Sequence, residues 1–481
     1  MKVGALFPDA VGAIAERDCC DVTADSRQVT QGSVFVAISG AKADGRRYIA
    51  DAVARGAVVI VAEGPRPADL PTAILYHQVA EARLALAQAA ARLYPQAPAH
   101  IVAVTGTSGK SSVADFVRQI LTRLGHEAAS LGTLGVIRNG HSQYGQLTTP
   151  DPISLHKNLS ALAQEGVTHV ALEASSHGLD QRRLEGVWLK AAGFTNLGHD
   201  HLDYHHDLEH YFQAKLRLFE ELLPDGAAAV VHLHSVYADR VVAVARARGL
   251  RVLTVGQRGE DVTLVDVQAD GFDQSLTIRH NGVVYPVRLP LAGAFQAENA
   301  LVAAGLVLSL GEPPAKVFAA LEALHGVCGR LERVPAPPGT LIVIDYAHKP
   351  DGLRAVLETL RATRRERLIC VFGCGGDRDR DKRPEMGAIA ARLADAVIVT
   401  DDNPRSEDPA LIRRAILAKA PGALEIPDRA EAIAHAVALL RPGDVLLVAG
   451  KGHEQGQIVG SVTRPFSDHE AVRLALQELG I

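Results

Sequence analysis

The spacing of apolar residues predicts that β-strands and α-helices alternate along the chain. In the first part, two apolar runs predict strands and one segment with helical spacing predicts a helix, at 34–38, 57–62 and 79–94 respectively. Pro95 and Pro98 then interrupt the pattern and indicate a linker. We therefore expect residues 1–97 to form a small α/β N-terminal domain.

A longer second region continues the alternation and predicts a largely parallel sheet. Its predicted strands are 101–105, 167–173, 191–195 and 227–231. Its predicted helices are 110–124, 154–165, 207–222 and 235–248. Residues 262–290 alternate apolar and polar side chains, which indicates antiparallel hairpins added to that sheet. We expect residues 98–330 to form a central parallel-sheet domain.

A proline cluster at 335–338 interrupts the chain again, and the pattern beyond it predicts a second doubly wound unit. The predicted strands of this unit, which alternate with helices up to the C-terminus, are 341–345, 367–373, 396–400 and 444–449. We expect residues 331–481 to form a C-terminal Rossmann-like domain. The predicted fold class is therefore α/β with three domains.

Composition agrees with this class and argues against two kinds of function. The 481 residues are 47% hydrophobic but only 4% aromatic, which fits α/β architecture. A formal net charge of −5 gives no electrostatic support to nucleic-acid binding. No apolar run reaches the ~20 residues that a membrane-spanning helix needs. The five cysteines, odd in number and without zinc spacing, indicate reduced thiols used mostly for packing in a cytoplasmic protein.

The most informative motif follows the predicted strand at 101–105. Residues 106–111 read Gly-Thr-Ser-Gly-Lys-Ser where the next predicted helix begins. Glycines let backbone N–H groups close on phosphate oxygens, Lys110 neutralises phosphate charge, and the Ser111 hydroxyl can bind Mg²⁺. The usual pattern would need a glycine at Val104, so this loop is tighter. A structural Gly-rich turn is the alternative, but Lys-Ser at a helix start favours a loop that binds ATP.

Three further candidates lie in the same region. Glu173 ends an apolar strand, where a carboxylate can hold Mg²⁺, although a helix-capping Glu-Ser-Ser sequence is the alternative. Residues 196–207 hold four histidines and three aspartates, which fit a metal site and a solvated loop equally well. Since Mg²⁺ prefers oxygen ligands, we expect at most one of these histidines to bind it directly. Lys215 lies on an amphipathic helix, which favours a solvated lysine.

Polar residues at the second linker and beyond it indicate a second group of contacts. Asp345 ends an apolar strand, where an acid commonly binds a ribose hydroxyl, and Arg330 could reach a phosphate, although either could form an ordinary surface ion pair. The Gly-rich residues 373–378 and the Asp-Asn-Pro-Arg sequence at 402–405 leave neighbouring predicted strands at one edge. The arginine of each could hold a carboxylate there. The chain is therefore predicted to spend ATP in joining a molecule that carries a carboxylate.

Together these motifs resemble the Mur ligases over essentially the whole chain. The motifs that carry the resemblance are Asp25–Arg27, Asp44–Arg46, Thr148–Pro150, Ser175–Gly178, Gln181, Arg183, Asp200–Tyr204, Lys215, Asn299, Gly329–Arg330, Asp345–His348, Asp402–Arg405 and Gly450–Glu454. Within the family, the resemblance is to the members that add meso-diaminopimelate to UDP-N-acetylmuramoyl-L-alanyl-D-glutamate. It implies an ATP-dependent ligase of peptidoglycan precursor synthesis that uses Mg²⁺, acts on these small molecules and works as a monomer.

The resemblance also implies a role for each candidate residue. Around ATP it implies Gly106, Thr107, Ser108, Gly109, Lys110, Ser111, Ser112, Asn299, Arg330 and Asp345. For the UDP-linked substrate it implies Ala24, Ser26, Ala41, Lys42, Ala43, Thr148, Thr149, Ser175, Gln181 and Arg183. For diaminopimelate it implies Arg378, Asp402, Asn403, Pro404, Arg405, Gly450 and Glu454. The implied catalytic residues are Lys110, Glu173, His201 and Lys215, and the implied Mg²⁺ ligands are Ser111, Glu173, His201 and Lys215 as a carbamate.

The sequence departs from the family pattern at a few positions. Ser108 and Ser111 stand where Asn and Thr are usual, and we expect this to change affinity only slightly because the hydrogen-bond donors survive. Gln296 replaces a first Asn before Asn299, and the histidines at 232 and 234 replace a commoner Asn-containing run. The alternatives are a lysine-adding relative, folylpolyglutamate synthetase, and a non-catalytic nucleotide-binding regulator of the same fold.

Overall fold

The computed structural model describes residues 1–40, 44–138, 141–143, 147–198, 200–234, 236–363 and 366–480. The chain divides into two compact units, residues 1–263 with 301–317 and residues 264–300 with 318–481. The three-domain boundaries at residues 97 and 330 stay a prediction. No helix of the described ranges combines the length and the apolar character that a membrane crossing requires.

The first unit begins with a four-stranded parallel sheet in the order β1-β2-β3-β4. Its strands are β1 (Val22–Thr23), β2 (Val34–Ala37), β3 (Val59–Glu63) and β4 (Leu75–Val79). Its helices are α1 (Val3–Leu6), α2 (Ile49–Ala54) and α3 (Ala82–Leu93), with 3₁₀ turns at Ser26–Gln28 and Gly45–Tyr48. The predicted strands and helix are confirmed as β2, β3 and α3, whereas β1 and β4 were not predicted.

A second sheet of the first unit has the order β12-β11-β10-β5-β9-β6-β7-β8. Its strands are β5 (His100–Thr105), β6 (Ala128–Gly132), β7 (Gly135–Arg138), β8 (His141–Gln143), β9 (His169–Glu173), β10 (Leu189–Phe194), β11 (Ala228–His232) and β12 (Arg251–Gly256). The helices are α4 (Lys110–Arg123), α5 (Pro152–Gln164), α6 (Ser176–Asp180), α7 (Leu202–His205), α8 (Leu208–Arg217) with a π-helical turn at Leu218–Leu222, and α9 (Val236–Ala247). All pairings are parallel except those of β7 and β8.

Strand β5 is the centre of this sheet and sets where the site lies. Its residues 101–104 are all buried, as expected for a parallel strand covered on both faces. Thr105 pairs with Phe194 of β10, and Val104 pairs with Glu173 of β9. The carboxyl ends of three parallel strands therefore reach one edge together, where ligands bind in such sheets.

The chain then forms antiparallel strands followed by two helices. These elements are β13 (Val262–Asp270), β14 (Asp273–His280), β15 (Val283–Leu289), α10 (Ala294–Ser309) and α11 (Pro314–Leu321). Strands β14 and β15 pair antiparallel over 274–289, which confirms the hairpin predicted from alternation. The first two residues of β13, Val262 and Thr263, pair parallel with β12.

The second unit contains a six-stranded sheet in the order β16-β17-β21-β18-β19-β20, parallel except for β16. Its strands, with a separate hairpin of β22 and β23, are β16 (Glu332–Val334), β17 (Leu341–Asp345), β18 (Leu368–Phe372), β19 (Ala396–Val399), β20 (Leu424–Glu425), β21 (Val445–Ala449), β22 (Gly456–Val459) and β23 (Val462–Pro465). Its helices are α12 (Pro350–Thr363), α13 (Lys382–Leu393), α14 (Pro409–Leu417), α15 (Arg429–Ala438) and α16 (Asp468–Glu478). Apolar clusters cover both faces, as predicted for a doubly wound unit.

A buried ion pair fixes the start of α16 in the second unit. The guanidinium of Arg429 donates from Nε and Nη2 to the two carboxylate oxygens of Asp468, at 2.7 and 2.9 Å. Both side chains have an exposed fraction of 0%. Arg429 Nη2 also donates to the carbonyl of Ala449 at 2.9 Å. Helix α15, strand β21 and helix α16 are therefore joined by one buried charged group.

We predict that Asp468→Ala lowers the free energy of unfolding of the second unit by about 3–5 kcal/mol, because it leaves the buried Arg429 charge without its partner. Urea unfolding of the full chain would measure this change. Glu470→Gln is the matched control, since Glu470 on the same helix pairs with Arg473 at the surface. Its free energy of unfolding should stay within about 1 kcal/mol of the wild-type value, and equal losses in both variants would contradict the role of the buried pair.

Candidate active site

A Gly-rich turn joins β5 to α4 and has the conformation of a phosphate loop. Gly106 and Gly109 have φ of 148° and 87°, which side chains other than glycine rarely adopt. A Cβ at Gly106 would also collide with the hydroxyl of Thr195. The turn therefore requires glycine at both positions, and α4 begins at Lys110 as the sequence predicts.

The loop is held in place by the residues that follow β10. The N–H groups of Thr107 and Ser108 donate to the carbonyl and side-chain oxygens of Asn196, both at 2.9 Å. Thr195 Oγ1 donates to the Ser108 carbonyl at 2.7 Å. The ammonium of Lys110 donates to the carbonyls of Gly106 and Thr107 at 2.8 and 2.9 Å. Lys110 is thus positioned at the loop, where it could neutralise a phosphate.

Glu173 lies at the centre of a buried hydrogen-bond network beside the loop. It ends β9 with an exposed fraction of 3%. Its Oε2 accepts from the hydroxyls of Ser111 and Thr133, at 3.0 and 3.1 Å, and its Oε1 accepts from the N–H of Thr133 at 2.8 Å. Ser111 and Glu173, which the sequence predicts as ligands of one cation, are therefore brought into contact.

The predicted contacts to the UDP-linked substrate continue this network. Thr148 Oγ1 lies 3.1 Å from Thr133 Oγ1. Thr149 Oγ1 donates to the Glu173 carbonyl at 2.8 Å and lies 3.0 Å from Ser175 Oγ. Ser175 also caps α6 by accepting from the Gly178 N–H, so the capping alternative holds for Ser175 and not for the Glu173 carboxylate.

Arg183 and Gln181 complete this group. Arg183 donates from Nη1 to the Thr149 carbonyl at 2.6 Å and from Nη2 to Gln181 Oε1 at 2.7 Å. Gln181 Nε2 donates to the Tyr204 hydroxyl at 3.1 Å. The structure thus brings together five of the predicted contacts: Thr148, Thr149, Ser175, Gln181 and Arg183.

Lys215 is buried, so its interpretation as a solvated lysine is wrong. Its exposed fraction is 1%, and its Nζ donates to the Gly106 carbonyl at 2.9 Å. The ammonium also lies 4.4 Å from the centre of the Tyr211 ring, whose hydroxyl is 3.1 Å from Thr107 Oγ1. Burial holds the pKa of Lys215 well below its usual value, and the nearby positive charge of Lys110 lowers this pKa further. Burial therefore disfavours the charged form of this amine beside the phosphate loop.

His201 belongs to an aromatic group near the loop. Its backbone N–H donates to Asp200 Oδ1 at 2.8 Å. The centre of its ring lies 4.7 Å from the ring centre of His177 and 6.2 Å from that of Tyr211. Asp207 caps α8 by accepting from the His210 N–H. A metal site needs several side-chain ligands close together. Among the described residues of 196–207, no three acidic, histidine or cysteine side chains have their ligand atoms within 4.8 Å of one another.

The other predicted ATP contacts lie in the second unit. Asn299 is buried and donates from Nδ2 to Gln296 Oε1 at 3.2 Å, so the departure at 296 still supplies a polar partner. The guanidinium of Arg330 lies 4.6 Å from the centre of the Tyr346 ring.

Asp345, at the end of β17, fixes the turn that carries Arg330. Its carboxylate oxygens accept from the N–H groups of Leu331 and Ala347 at 2.6 and 2.7 Å. Burial raises the pKa of Asp345 to about 6, against the opposing effect of the Arg330 charge. Asp345 is therefore a buried acid rather than a member of a surface ion pair.

The predicted diaminopimelate contacts meet at the carboxyl edge of β18, β19 and β21. Asn403 donates from Nδ2 to Glu454 Oε2 at 2.8 Å, and its Oδ1 accepts from Lys451 Nζ at 3.1 Å. Arg405, with φ of 52°, donates from Nη1 to the Gly376 carbonyl at 2.9 Å. Arg405 Nη1 also donates to the Asn403 carbonyl at 3.4 Å, so Asn403 contacts both the Arg405 guanidinium and the Glu454 carboxylate.

The remaining predicted residues have fewer contacts. Asp402 is buried and lies against Gly450, where a Cβ would be 2.8 Å from Asp402 Oδ2. Arg378 is exposed on the loop after β18. Ser112 is buried on α4, Ser26 is buried on a 3₁₀ turn, Ala24 is half-buried before it and Pro404 is buried. Ala41, Lys42 and Ala43 lie outside the described residues.

Four residues that hold the site together were not assigned a role from the sequence. Thr133 binds Glu173, Asn196 holds the loop, Tyr211 contacts Lys215, and Lys451 has an exposed fraction of 0% and donates to Glu454 at 3.0 Å. The position of Asn196 immediately after a strand could have identified it, since neighbouring parallel strands end at one edge. Thr133 and Tyr211 carry no such signal.

Comparison with known proteins agrees with the motifs. Sequence profiles described as the Mur ligase family catalytic domain, the Mur ligase middle domain, and the Mur ligase glutamate ligase domain match residues 21–100, 104–307 and 329–452. A protein of Agrobacterium fabrum, named UDP-N-acetylmuramoyl-L-alanyl-D-glutamate--2,6-diaminopimelate ligase, is 57% identical over 98% of this chain and 96% of its own. The chain belongs to the Mur ligase family. A protein of Bradyrhizobium diazoefficiens with the same name is 56% identical over 96% of each chain.

Solved structures extend the comparison to the fold of this Mur ligase. One named as the structure of a UDP-N-acetylmuramoyl-L-alanyl-D-glutamate--2,6-diaminopimelate ligase has a TM-score of 0.75 and 31% identity, covering 100% of this chain and 99% of its own. A Mycobacterium tuberculosis folylpolyglutamate synthase complexed with ADP has a TM-score of 0.65 and 21% identity, covering 82% of this chain and 94% of its own. At 21% identity, this comparison shows that the two proteins share a fold.

We predict that Asp345 makes the stability of this Mur ligase depend on pH. Because the folded carboxyl holds its proton more tightly than the unfolded one, its stabilisation is present at low pH and is lost as the pH rises from about 4 to about 6. Asp345→Asn cannot ionise and should lack this dependence. The stability difference between wild type and variant, measured by urea unfolding, should fall by at most about 3 kcal/mol across that window and stay constant above it.

The matched control is Glu358→Gln, which removes an exposed acid from the middle of α12 in the same unit. Its stability should follow the wild type at every pH. A wild-type-minus-Asp345→Asn difference that does not change with pH would contradict the raised pKa.

Proposed function

We propose that this chain is an ATP-dependent amide ligase that adds meso-diaminopimelate to UDP-N-acetylmuramoyl-L-alanyl-D-glutamate in the cytoplasm, as a monomer. The observation that carries the proposal is Arg405, held with Asn403 and Glu454 at the carboxyl edge of a parallel sheet. Diaminopimelate differs from lysine by one carboxylate, which a guanidinium reads through two parallel hydrogen bonds. The names of the relatives that are 57% and 56% identical support this substrate.

The proposed reaction solves a general problem of amide synthesis. A carboxylate does not react with an amine at neutral pH, because its oxygen is a poor leaving group. The D-glutamate side-chain carboxylate would attack the γ-phosphorus of ATP, forming a C–O–P bond as ADP leaves. The diaminopimelate amine would then attack the acyl carbon, and the C–O bond would break to release phosphate while the amine loses a proton. Each step needs stabilised charge and exclusion of water.

The first unit supports the phosphoryl-transfer step. Lys110 Nζ, held by two loop carbonyls, would stabilise the negative charge that develops on the transferring phosphoryl group. Thr148 and Thr149 connect the proposed peptide contacts to Thr133 and Glu173 by direct hydrogen bonds. The substrate carboxylate would therefore be oriented by the same network that holds Glu173.

The donor set of this network fits Mg²⁺. Ser111 Oγ and Glu173 Oε2 lie 3.0 Å apart beside the loop and offer the oxygen ligands that this ion prefers. Ser111, Glu173, His201 and a carbamylated Lys215 would hold it. When bound, Mg²⁺ supplies charge neutralisation on the phosphate oxygens.

Lys215 would act as a carbamate rather than as an ammonium. Burial disfavours its charged form, and a neutral amine can add CO₂, forming an N–C bond and releasing a proton. The product is a carboxylate-like anion on a side chain that already contacts the Gly106 carbonyl. Tyr211 covers this position and would limit access of water.

The proposed function is tested by phosphate release with ATP, the UDP-linked dipeptide substrate and either meso-diaminopimelate or L-lysine. We expect turnover with diaminopimelate and only background release with lysine. Arg405→Ala should raise the KM for diaminopimelate by about 10–100-fold, as loss of a charge-assisted contact predicts, while the KM for ATP stays unchanged.

The matched control for Arg405 is Arg414→Ala, which removes an exposed arginine from α14 in the same unit. Both KM values of this variant should equal those of the wild type. Equal wild-type turnover with lysine and diaminopimelate would overturn the substrate assignment.

A second prediction concerns Lys215. Lys215→Ala should lower kcat by about 10²–10³-fold, the usual cost of losing one group that stabilises transition-state charge, and millimolar-range formate or acetate should restore part of it. Lys215→Arg should remain inactive because guanidinium cannot be carbamylated. Incubation with ¹³C-bicarbonate should give a carbamate ¹³C signal in the wild type and none in either variant.

Lys190→Ala is the control, since Lys190 is an exposed lysine of β10. It should keep both the wild-type rate and the ¹³C signal. Wild-type turnover by Lys215→Arg would rule out the carbamate.

A further inference from the structure

A cysteine, a glutamate and a histidine converge on one point in the second unit, and the proposed ligase reaction does not use them. Cys328 Sγ lies 3.8 Å from His469 Nε2, and Glu332 Oε2 lies 2.6 Å from the same nitrogen. All three potential ligand atoms lie within 4.8 Å of one another. The thiol and the carboxylate therefore face the same ring nitrogen, on the side where its proton or a metal ion would sit.

The backbone on both sides of this cluster is fixed by other contacts. Arg330 N–H donates to the Val327 carbonyl at 2.8 Å, which closes a tight turn around Cys328. Glu332 is the first residue of β16 and pairs with Ile344 of β17. His469 follows Asp468, which the buried pair with Arg429 anchors. The three side chains are therefore presented by rigid elements, as a preorganised metal site requires.

We propose that Cys328, Glu332 and His469 form a binding site for a divalent cation of the zinc class. Zinc–ligand distances of about 2.0–2.3 Å in tetrahedral geometry would separate sulfur from nitrogen by about 3.6 Å and nitrogen from oxygen by about 3.4 Å. The sulfur–nitrogen distance of 3.8 Å already fits. The glutamate oxygen would move by about 0.8 Å, a small rotation of a flexible side chain, and water would fill the fourth position.

The ligand types decide the class of cation. Thiolate and imidazole favour zinc and similar soft or borderline ions, whereas Mg²⁺ prefers oxygen ligands in octahedral geometry. The cluster would therefore take zinc or cobalt and leave Mg²⁺ to the oxygen-rich network of the first unit. An imidazole–carboxylate ion pair alone would explain the contact of Glu332 with His469. It would not need a thiol on the same side of the ring.

A cation at this site would affect the loop that carries Arg330. Gly329 and Arg330 lie between the two loop ligands, and the N–H of Gly329 donates to Glu332 Oε2 at 2.7 Å. Metal binding would tie this loop to the first turn of α16. The site would therefore cross-link a proposed ATP contact to the C-terminal helix of the same unit.

Cobalt is the probe for the test, because a thiolate bound to Co²⁺ gives a near-ultraviolet charge-transfer band that histidine and carboxylate ligands do not give. The full chain, freed of metal with a chelator, would be titrated with Co²⁺. We expect the band to saturate at one Co²⁺ per chain, to disappear on addition of one equivalent of Zn²⁺, and to persist in excess Mg²⁺. Cys328→Ser should lack the band, and Glu332→Gln and His469→Gln should weaken Co²⁺ binding by at least about tenfold.

Cys20→Ser is the matched control, since Cys20 is the exposed cysteine and lies in the first unit. It should keep the wild-type band. Zn²⁺ should also raise the unfolding midpoint of the wild type and of Cys20→Ser, but not that of Cys328→Ser, because a ligand of the native state stabilises it. Absence of the band in the wild type, or its presence in Cys328→Ser, would overturn the site. Neither result depends on ligase turnover.

Discussion

The site of the first unit depends on one buried carboxylate, that of Glu173. A charge at the end of a buried strand is costly unless hydrogen bonds satisfy it, and here Ser111 and Thr133 supply them. Through Ser111 the carboxylate fixes the first turn of α4, and through Thr133 it reaches Thr148. The phosphate loop and the proposed peptide contacts are therefore positioned by the same group. A change at Glu173 would disturb both at once.

The sequence allowed prediction of those site residues that follow buried strands. Apolar runs locate the strand ends, and parallel strands end at one edge, so the positions of Lys110, Glu173, Asp345 and Arg405 follow from local pattern. Helical spacing placed Lys215 correctly on α8, but spacing does not reveal which element packs against that helix. Its burial against Gly106 is a contact across 109 positions of sequence, which no local pattern contains.

Several elements and residues that were not predicted depend on pairing or on partners that the local sequence does not show. Strands β7, β8, β22 and β23 have only three or four residues each and lie in short hairpins whose stability comes from pairing. Thr133 and Lys451 acquire their roles from partners distant in sequence, Glu173 and Asn403. Cys328 was among the five cysteines expected mostly to pack, because they show no zinc spacing in the sequence.

The two lysines that share the Gly106 carbonyl have a thermodynamic consequence. Lys110 and Lys215 both donate to this one oxygen, so two ammonium groups compete for a single acceptor. A phosphate in the loop would attract the protonated form of Lys215 and so favour it. The coupling is reciprocal, so the neutral amine would bind a phosphate in the loop less well than the ammonium. Addition of CO₂ needs the neutral amine and is therefore favoured while the loop holds no anion. The proposed modification of Lys215 would therefore be more favourable in the nucleotide-free chain than in the nucleotide-bound one.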